Sequence, residues 1–316
     1  MTDPLHIPLW GAAISTPHVA ASSAVVSASV AVRNAMLVTA TAVAVSVVIL
    51  GPDGKAVGHG RAAPVRVLAN STLSPVVVNI TLAGPVARWS TSTPLLHTAN
   101  ITVTAGGPNG SEDQVSVPFG VRSVSFSAET GLLLNGVQTK LYGGCVHHDN
   151  GPLGAMAIDR AEERRVSALK ALGYNAIRTS HNPVSPAFLD ACDRLGMLVM
   201  DEAFDCWGQV TRTLATRHTS LRLSTCRVLH NCLGVGRVSS VQRRLDQTLN
   251  LASNLLQGKN PDDYHLYFWK WWQRDLAALV LRDRNHPSGA PATDSRTAVR
   301  SRAFPFRDVP WCACQS

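Results

Sequence analysis

Apolar and polar positions alternate with a period of two through the first third of the chain. Between Trp10 and Arg122, Val, Ala, Thr and Ser recur in short runs. Turn signals such as Gly51-Pro52-Asp53-Gly54 and Gly106-Gly107-Pro108-Asn109-Gly110 interrupt them. A side chain directed inward at every second position is the signature of a half-buried strand. About seven such strands fit in this length, the size and rhythm of an immunoglobulin-like β-sandwich. Ala35–Leu50 is the most apolar run, yet it is shorter than the roughly 20 residues a helical membrane span requires. Its Thr/Val alternation predicts core strands and no membrane association.

After Arg122 the period changes. Leu132–Leu134, Asn135-Gly136 and Val137–Tyr142 read as a hairpin about a type I′ turn. Asp159 and Glu162 make a capping-box-like start to a helix whose apolar face is Val166, Leu169 and Leu172, and Gly173 stops it. Asn175–Thr179 reads as a short strand. Ser185-Pro186 opens a second helix with Phe188, Leu189, Cys192 and Leu195 inward, ended by Gly196. Met197–Met200 is apolar throughout, as a strand buried on both faces is. Strands and helices alternating at this spacing predict parallel βα units. A further helix is expected over 263–284, with Tyr264, Phe268, Trp271, Trp272, Leu276 and Leu279 available to a core and His286-Pro287 at its end.

Residues 208–258 show no sustained period, and a structureless loop of about 50 residues is improbable inside a compact domain. The formal net charge of +8 concentrates there: seven arginines and the single acid Asp246 give +6. The tail 289–316, with four arginines and two aspartates, gives +2, which leaves zero for the rest. A nucleic-acid groove needs its basic residues spread over a folded surface, so the charge predicts no nucleic-acid partner. Cys226, Cys232, Cys312 and Cys314 fall in the same two segments, while Cys145, Cys192 and Cys206 are scattered. Neither a metal-ligand spacing nor a disulfide framework follows. No basic, apolar-cored leader is visible at the N-terminus. Four sequons, at Asn70, Asn79, Asn100 and Asn109, all lie in the sandwich segment and hint at a secretory ancestry.

In a parallel βα barrel, functional groups gather at the carboxyl ends of the strands. Three such ends are legible. Tyr142-Gly143-Gly144 leads into His147-His148-Asp149. Ile177 leads into Arg178-Thr179-Ser180-His181-Asn182-Pro183, and Val199-Met200 leads into Asp201-Glu202-Ala203-Phe204-Asp205. Any one cluster could be a solvated loop or a local ion pair. Three at equivalent positions point to a site.

These stretches resemble glycoside hydrolase family 2, which contains β-galactosidases and β-glucuronidases. The resemblance is carried by Gly131-Leu132-Leu133-Leu134-Asn135-Gly136, Leu141-Tyr142-Gly143-Gly144, His147-His148-Asp149, the run Arg178 to Pro183, the run Cys192 to Ala203, and Arg282-Asp283-Arg284-Asn285-His286-Pro287-Ser288. Upstream, Arg88-Trp89-Ser90, Pro94-Leu95-Leu96 and Phe119-Gly120-Val121-Arg122 resemble the close of that family's immunoglobulin-like domain. Thr2-Asp3-Pro4-Leu5-His6-Ile7 resembles the exit from its sugar-binding jelly roll. The architecture implied is multidomain β and α/β: a linker over 1–9, an immunoglobulin-like β-sandwich over 10–122, and an incomplete (β/α)8 TIM barrel over 123–288. An anomalous insertion then occupies 208–258 and an aberrant tail 289–316.

The activity the resemblance implies is retaining hydrolysis of a β-glycoside, β-galactosidase-like, with no cofactor and no metal. One carboxyl group protonates the leaving oxygen and a second, roughly 5 Å away, attacks the anomeric carbon. In the family both are glutamates on later barrel strands, and no Gly-Asn-Glu motif follows Ser288. The expectation is therefore that no catalytic residue is present and that the chain as written is inactive. The supporting residues implied are His148, Asp149, Arg178, His181, Asp201 and Glu202. Asp149 and His181 would contact sugar hydroxyls, and Arg178 would charge-balance the nucleophile. Asp201 and Glu202 would pair with neighbouring barrel groups or reach the sugar. His147 would line the pocket with His148, and Asp205 and Trp207 would shape its rim. Alternative readings are a non-catalytic carbohydrate-binding or interaction relic and, for the two basic segments, intron-derived or frameshifted sequence. The residues leave oligomeric state, compartment and the sugar itself open.

Overall fold

In a computed structural model of the protein, which describes residues 3–106, 111–204 and 267–289, the alternation of the first third becomes two antiparallel sheets. β1 (Leu5–His6), β2 (Ala12–Val19), β3 (Ser23–Asn34) and β7 (Ser71–Ala83) form one, with β3 between β7 on one side and β1 and β2 on the other. β4 (Ala40–Leu50), β5 (Ala56–Arg61), β6 (Val65–Val67), β8 (His97–Ala105) and β9 (Ser111–Phe119) form the second. The period-two pattern does what it predicts. In β3 every second residue is buried, from Ala24 to Val32, and in β7 Val76, Val78, Ile80 and Leu82 point inward while Val77, Asn79 and Thr81 point out. Burying one Val is worth about 1.5–3 kcal/mol, so a core built largely from Val and Ile holds the sheets together. Nine strands stand where about seven were expected, because the short β1 and β6 carry too few residues to show a period. β1 lies within the segment read as a linker; Leu5 is fully buried and pairs with Asn34.

The next segment begins with an antiparallel meander of β10 (Val124–Ser127), β11 (Gly131–Leu134) and β12 (Val137–Gln138). Asn135 and Gly136 both have positive φ, as the type I′ turn demands. Three parallel strands follow: β13 (Gly143–His147), β14 (Ala176–Ser180) and β15 (Leu198–Met200), with α1 (Asp159–Ala171) and α2 (Pro186–Leu195) as crossovers. Two sequence expectations are corrected here. The strand that leads to His147 is Gly143–His147, not Val137–Tyr142, which contributes only the two residues of β12. Its glycines hide it from any period, yet Gly143 is why it pairs so closely: a Cβ there would lie 1.9 Å from the Ala176 carbonyl oxygen. The capping box at Asp159 does not form either. Ile158 takes the N-cap position, and Glu162 is buried, accepting from Asn150 Nδ2 at 2.6 Å and from Arg165 at 3.3 Å.

α2 begins and ends as its sequence requires. The Ser185 hydroxyl accepts the Phe188 N–H, Pro186 follows, and Gly196 closes the helix in the left-handed region. Phe188, Leu189, Cys192, Met197, Val199, Ile177 and Val166 form a second apolar cluster between helices and sheet. The final described helix is α3 (Phe268–Asp283), and the side chains described in it are half-buried or exposed, none fully buried. Asp205, Trp207, Tyr264, the 208–258 segment and the tail from residue 290 lie outside the described residues. One unit carries everything described up to Asp201 together with Ala277–Gly289, and Glu202 opens a second that ends at Leu276.

Candidate functional site

Parallel register fixes which residues share the end of the barrel sheet. Cys145 pairs with Arg178 and Arg178 with Met200, while His147 pairs with Ser180. Side chains alternate across a strand. Ile177 belongs to the apolar cluster under the helices, so Ala176, Arg178 and Ser180 take the opposite face, the interior of a barrel. There the Arg178 guanidinium lies 3.2 Å from Cys145 Sγ. At the very end of β13 and β14, the rings of His147 and His181 meet edge to face with centroids 5.5 Å apart. The Ser180–His181 peptide is cis.

The loop after β13 is held from below by α1. Arg165 donates to the His147 carbonyl, and Glu162 holds Asn150. Between these anchors His148 is half-buried and Asp149 exposed, its Oδ1 accepting from Gly151 N at 2.9 Å.

Asp201 sits differently. Its Oδ1 accepts from the Thr179 hydroxyl at 2.8 Å, and Thr179 is fully buried, on the face of β14 opposite Arg178. Burial raises its pKa to about 6, against the lowering effect of the Thr179 hydrogen bond, and the nearby Asp283 carboxylate pushes further up while Arg282 pulls down. The carboxyl group thus works within the helix layer. Glu202 is half-buried and belongs to the second unit. His147 and His181 meet, Arg178 stands two residues further back beside Cys145, and Asp201 turns to the other side of the sheet.

Below them is an apolar cavity of about 350 Å³, lined by Phe126, Leu132 and Leu134 of the meander and by Ala176, Leu198 and Met200 of the barrel sheet, with Arg178 at its polar limit. Its walls offer few hydrogen-bonding groups. It is the interior of a barrel and not a sugar pocket, since sugars demand polar partners.

Sequence reasoning passed over the residues that fasten the sandwich to the barrel. Trp89 is fully buried and donates Nε1–H to the Asp193 carbonyl at 2.8 Å. The Asp193 carboxylate accepts from Ser288 N at 2.9 Å and meets His286 Nδ1 at 2.6 Å. Asn285 brackets β2, accepting from Ile14 N at 2.8 Å and donating to the Ala12 carbonyl at 3.0 Å. Arg122 lies over the Trp89 ring and donates to the Gly289 carbonyl at 2.6 Å. Burial brings its pKa down to about 10, with Asp193 opposing. A Cβ on Gly120 would come within 2.6 Å of Pro287, so only glycine lets that turn seat. The signal was the run Arg282 to Ser288 itself, too dense in polar groups to be a loop without a task. Asp190, Asp193 and His286 bring ligand-type atoms within 4.8 Å of one another. Asp193 commits both oxygens to His286 and Ser288, so the group reads as a structural ion pair.

No helix among the described residues is long and apolar enough to cross a membrane. The family model described as "Glycosyl hydrolases family 2, TIM barrel domain" matches residues 128–289, and that described as "Glycosyl hydrolases family 2" matches residues 12–122. The chain is similar to beta-galactosidase BoGH2A of Bacteroides ovatus, 33% identical over 287 residues, which is 91% of this chain and 27% of that protein. Among solved structures it is similar to a glycosyl hydrolase family 2 member from Bacteroides cellulosilyticus, with 36% identity and a TM-score of 0.70 over 91% of this chain and 30% of that one. It is also similar to a beta-glycosidase from Bacteroides vulgatus, with 27% identity and a TM-score of 0.66 over 90% of this chain and 29% of that one. The chain therefore spans less than a third of the length of these relatives.

Proposed function

As the chain belongs to glycoside hydrolase family 2, we propose that it forms the sandwich and first barrel units of a retaining β-glycosidase acting on β-galactosides. The observation that carries this reading is the placement of Arg178, His147 and His181 at or just past the carboxyl ends of two parallel strands in register, with the two histidine rings in contact, where barrel enzymes do their chemistry. Arg178 is the cation that holds the nucleophile carboxylate in a barrel completed by further strands, because a guanidinium fork matches a carboxylate. His181 and Asp149 reach sugar hydroxyls, with His148 behind them. Asp201 keeps the β14–β15 end in shape through Thr179, and Glu202 stands beside it in sequence.

For these 316 residues taken alone the same reading excludes turnover. Retaining chemistry needs two carboxyl groups about 5 Å apart across one cleft. Of the strand-end carboxylates in the first unit, Asp149 braces its own loop and Asp201 faces the helix layer. Substrate is held by one wall only. Purified 316-residue protein is expected to leave an aryl β-galactoside intact; sustained hydrolysis above buffer, removed by Arg178→Ala, would overturn that part of the reading. The alternative, a non-catalytic carbohydrate-binding or interaction relic of such an enzyme, is not favoured, since the relatives are named as glycosidases.

A further inference from the structure

The sequons are absorbed by nothing in the glycosidase reading, and the fold sorts the sandwich asparagines by them. Five asparagines, at positions 34, 70, 79, 100 and 109, fall between Trp10 and Arg122, and four begin sequons. The exception, Asn34, is fully buried: its Nδ2 donates to the Val38, Val67 and Leu68 carbonyls and its Oδ1 accepts from Met36 N. Those in sequons take the outside. Asn79 is exposed on β7, opposite Ser27, and Thr81 is exposed on the same face opposite Val25. An extended strand places residues i and i+2 on one side, so the acceptor amide and the sequon hydroxyl face solvent together. Asn70 is exposed in the turn that precedes β7, at φ 45°, with Arg33 Nη2 donating to its Oδ1 at 2.5 Å and Arg33 Nη1 to its carbonyl at 3.1 Å. Asn100 is half-buried on β8, its Oδ1 accepting from Ser116. Asn109 lies outside the described residues.

A second observation concerns charge. Nine of the 113 residues from Trp10 to Arg122 are charged, half the chain-wide share of 16%. The outward residues of β3 and β7 are mostly Ser, Thr, Val and Ala; the charge among them, Arg33, stands at one end of β3. Exposed sheets of this kind ordinarily carry charges against edge-to-edge association. A bulky, solvated glycan at Asn79 performs the same service without any charge.

The geometry points to Asn70 and Asn79 as N-glycosylation sites, modified by transfer from a polyprenyl-pyrophosphate-linked oligosaccharide. In the transfer the side-chain Nδ2 attacks the anomeric carbon, the C–O bond to pyrophosphate breaks, the amide loses one proton, and the polyprenyl pyrophosphate leaves. No redox partner is needed. The test uses protein purified from its own source, digested with peptide N-glycosidase in heavy-oxygen water and mapped by mass spectrometry. The expected result is conversion of Asn70 and Asn79 to heavy-oxygen aspartate, with Asn34 unchanged. Peptides carrying unmodified Asn70 and Asn79 would overturn the assignment. The variant Thr81→Ala, exposed and outside the core, produced in a eukaryotic secretory host, should lose the modification at Asn79 and keep it at Asn70. Retention at Asn79, or its absence from the unmutated protein in that host, would equally overturn it.

Discussion

Asp193, in α2, and His286, beyond the end of α3, meet with Oδ2 and Nδ1 2.6 Å apart, while the other Asp193 oxygen takes the Ser288 amide. The backbone carbonyl of the same aspartate receives the indole of Trp89. One residue therefore ties the barrel's helix layer to the sandwich. Replacing Asp193 with Ala strands a half-buried imidazole and the buried Ser288 N–H; breaking a buried pair costs roughly 3–5 kcal/mol. Chemical denaturation should show that loss. Asp193→Ala within about 1 kcal/mol of the unmutated protein would remove the clamp from the account.

The same contact makes stability depend on pH from the ordinary histidine range, near 6.5, upward. Burial alone would lower the His286 pKa, but the hydrogen bond and charge of Asp193, helped by Asp190 and Asp283, raise it. A histidine raised in the folded state contributes stability that is complete below its ordinary value, near 6.5, and that is lost as pH rises through the raised value. The denaturation midpoint should fall between pH 6 and pH 9, and His286→Gln should flatten that fall. An unchanged slope in His286→Gln would assign the dependence elsewhere.

Asp201 produces a second, more acidic window of the same sign. Its carboxyl is held up to about 6 by burial, with Thr179 opposing and Asp283 assisting. The folded protein keeps a proton that the unfolded chain releases near 3.8, so stability falls as pH rises between these values and stays lower above them. Allowing for its partly exposed side chain, the penalty is on the order of 2 kcal/mol. Asp201→Asn should gain about that much against the unmutated protein on going from pH 4 to pH 7. Equal pH profiles for the two proteins would contradict the buried placement.

Gly143→Ala tests the strand that sequence reading misplaced. A methyl group there collides with the Ala176 carbonyl, and overpacking of this kind costs typically 1–3 kcal/mol. Because β13 is an edge of its three-stranded sheet, cleavage by protease should begin in the barrel segment while the sandwich stays resistant. A sandwich lost in step with the barrel segment would show that the two do not unfold separately.

What could be read from residues alone follows the physics of each element. α2 was legible because Ser185-Pro186 and Gly196 announce its ends and its apolar face repeats at helical spacing. The sandwich was legible because one face of each strand is wet. β13 was not, since a Gly-Gly-Cys-Val-His strand makes its pairing by close backbone approach and shows no period. The three polar clusters do fall at or just after the ends of β13, β14 and β15, yet Thr179 and Asp201 could not be separated from Arg178 by sequence: one step along a strand reverses the face. The polar run Arg282 to Ser288 signals a task, but the clamp around Asp193 was not legible as a contact because its partners, Trp89, Arg122 and His286, are far apart in the chain.

The most direct test of the central claim transplants the site. Residues Leu141–Asp201 would replace the matched segment of the Bacteroides ovatus beta-galactosidase, and kcat/KM would be measured on an aryl β-galactoside in a chimera verified as folded. The account predicts retained hydrolysis that falls by on the order of 10²-fold or more when Arg178 is changed to Ala, as expected for a group that stabilises charge at the reacting centre. A folded, active chimera indifferent to Arg178→Ala would contradict it.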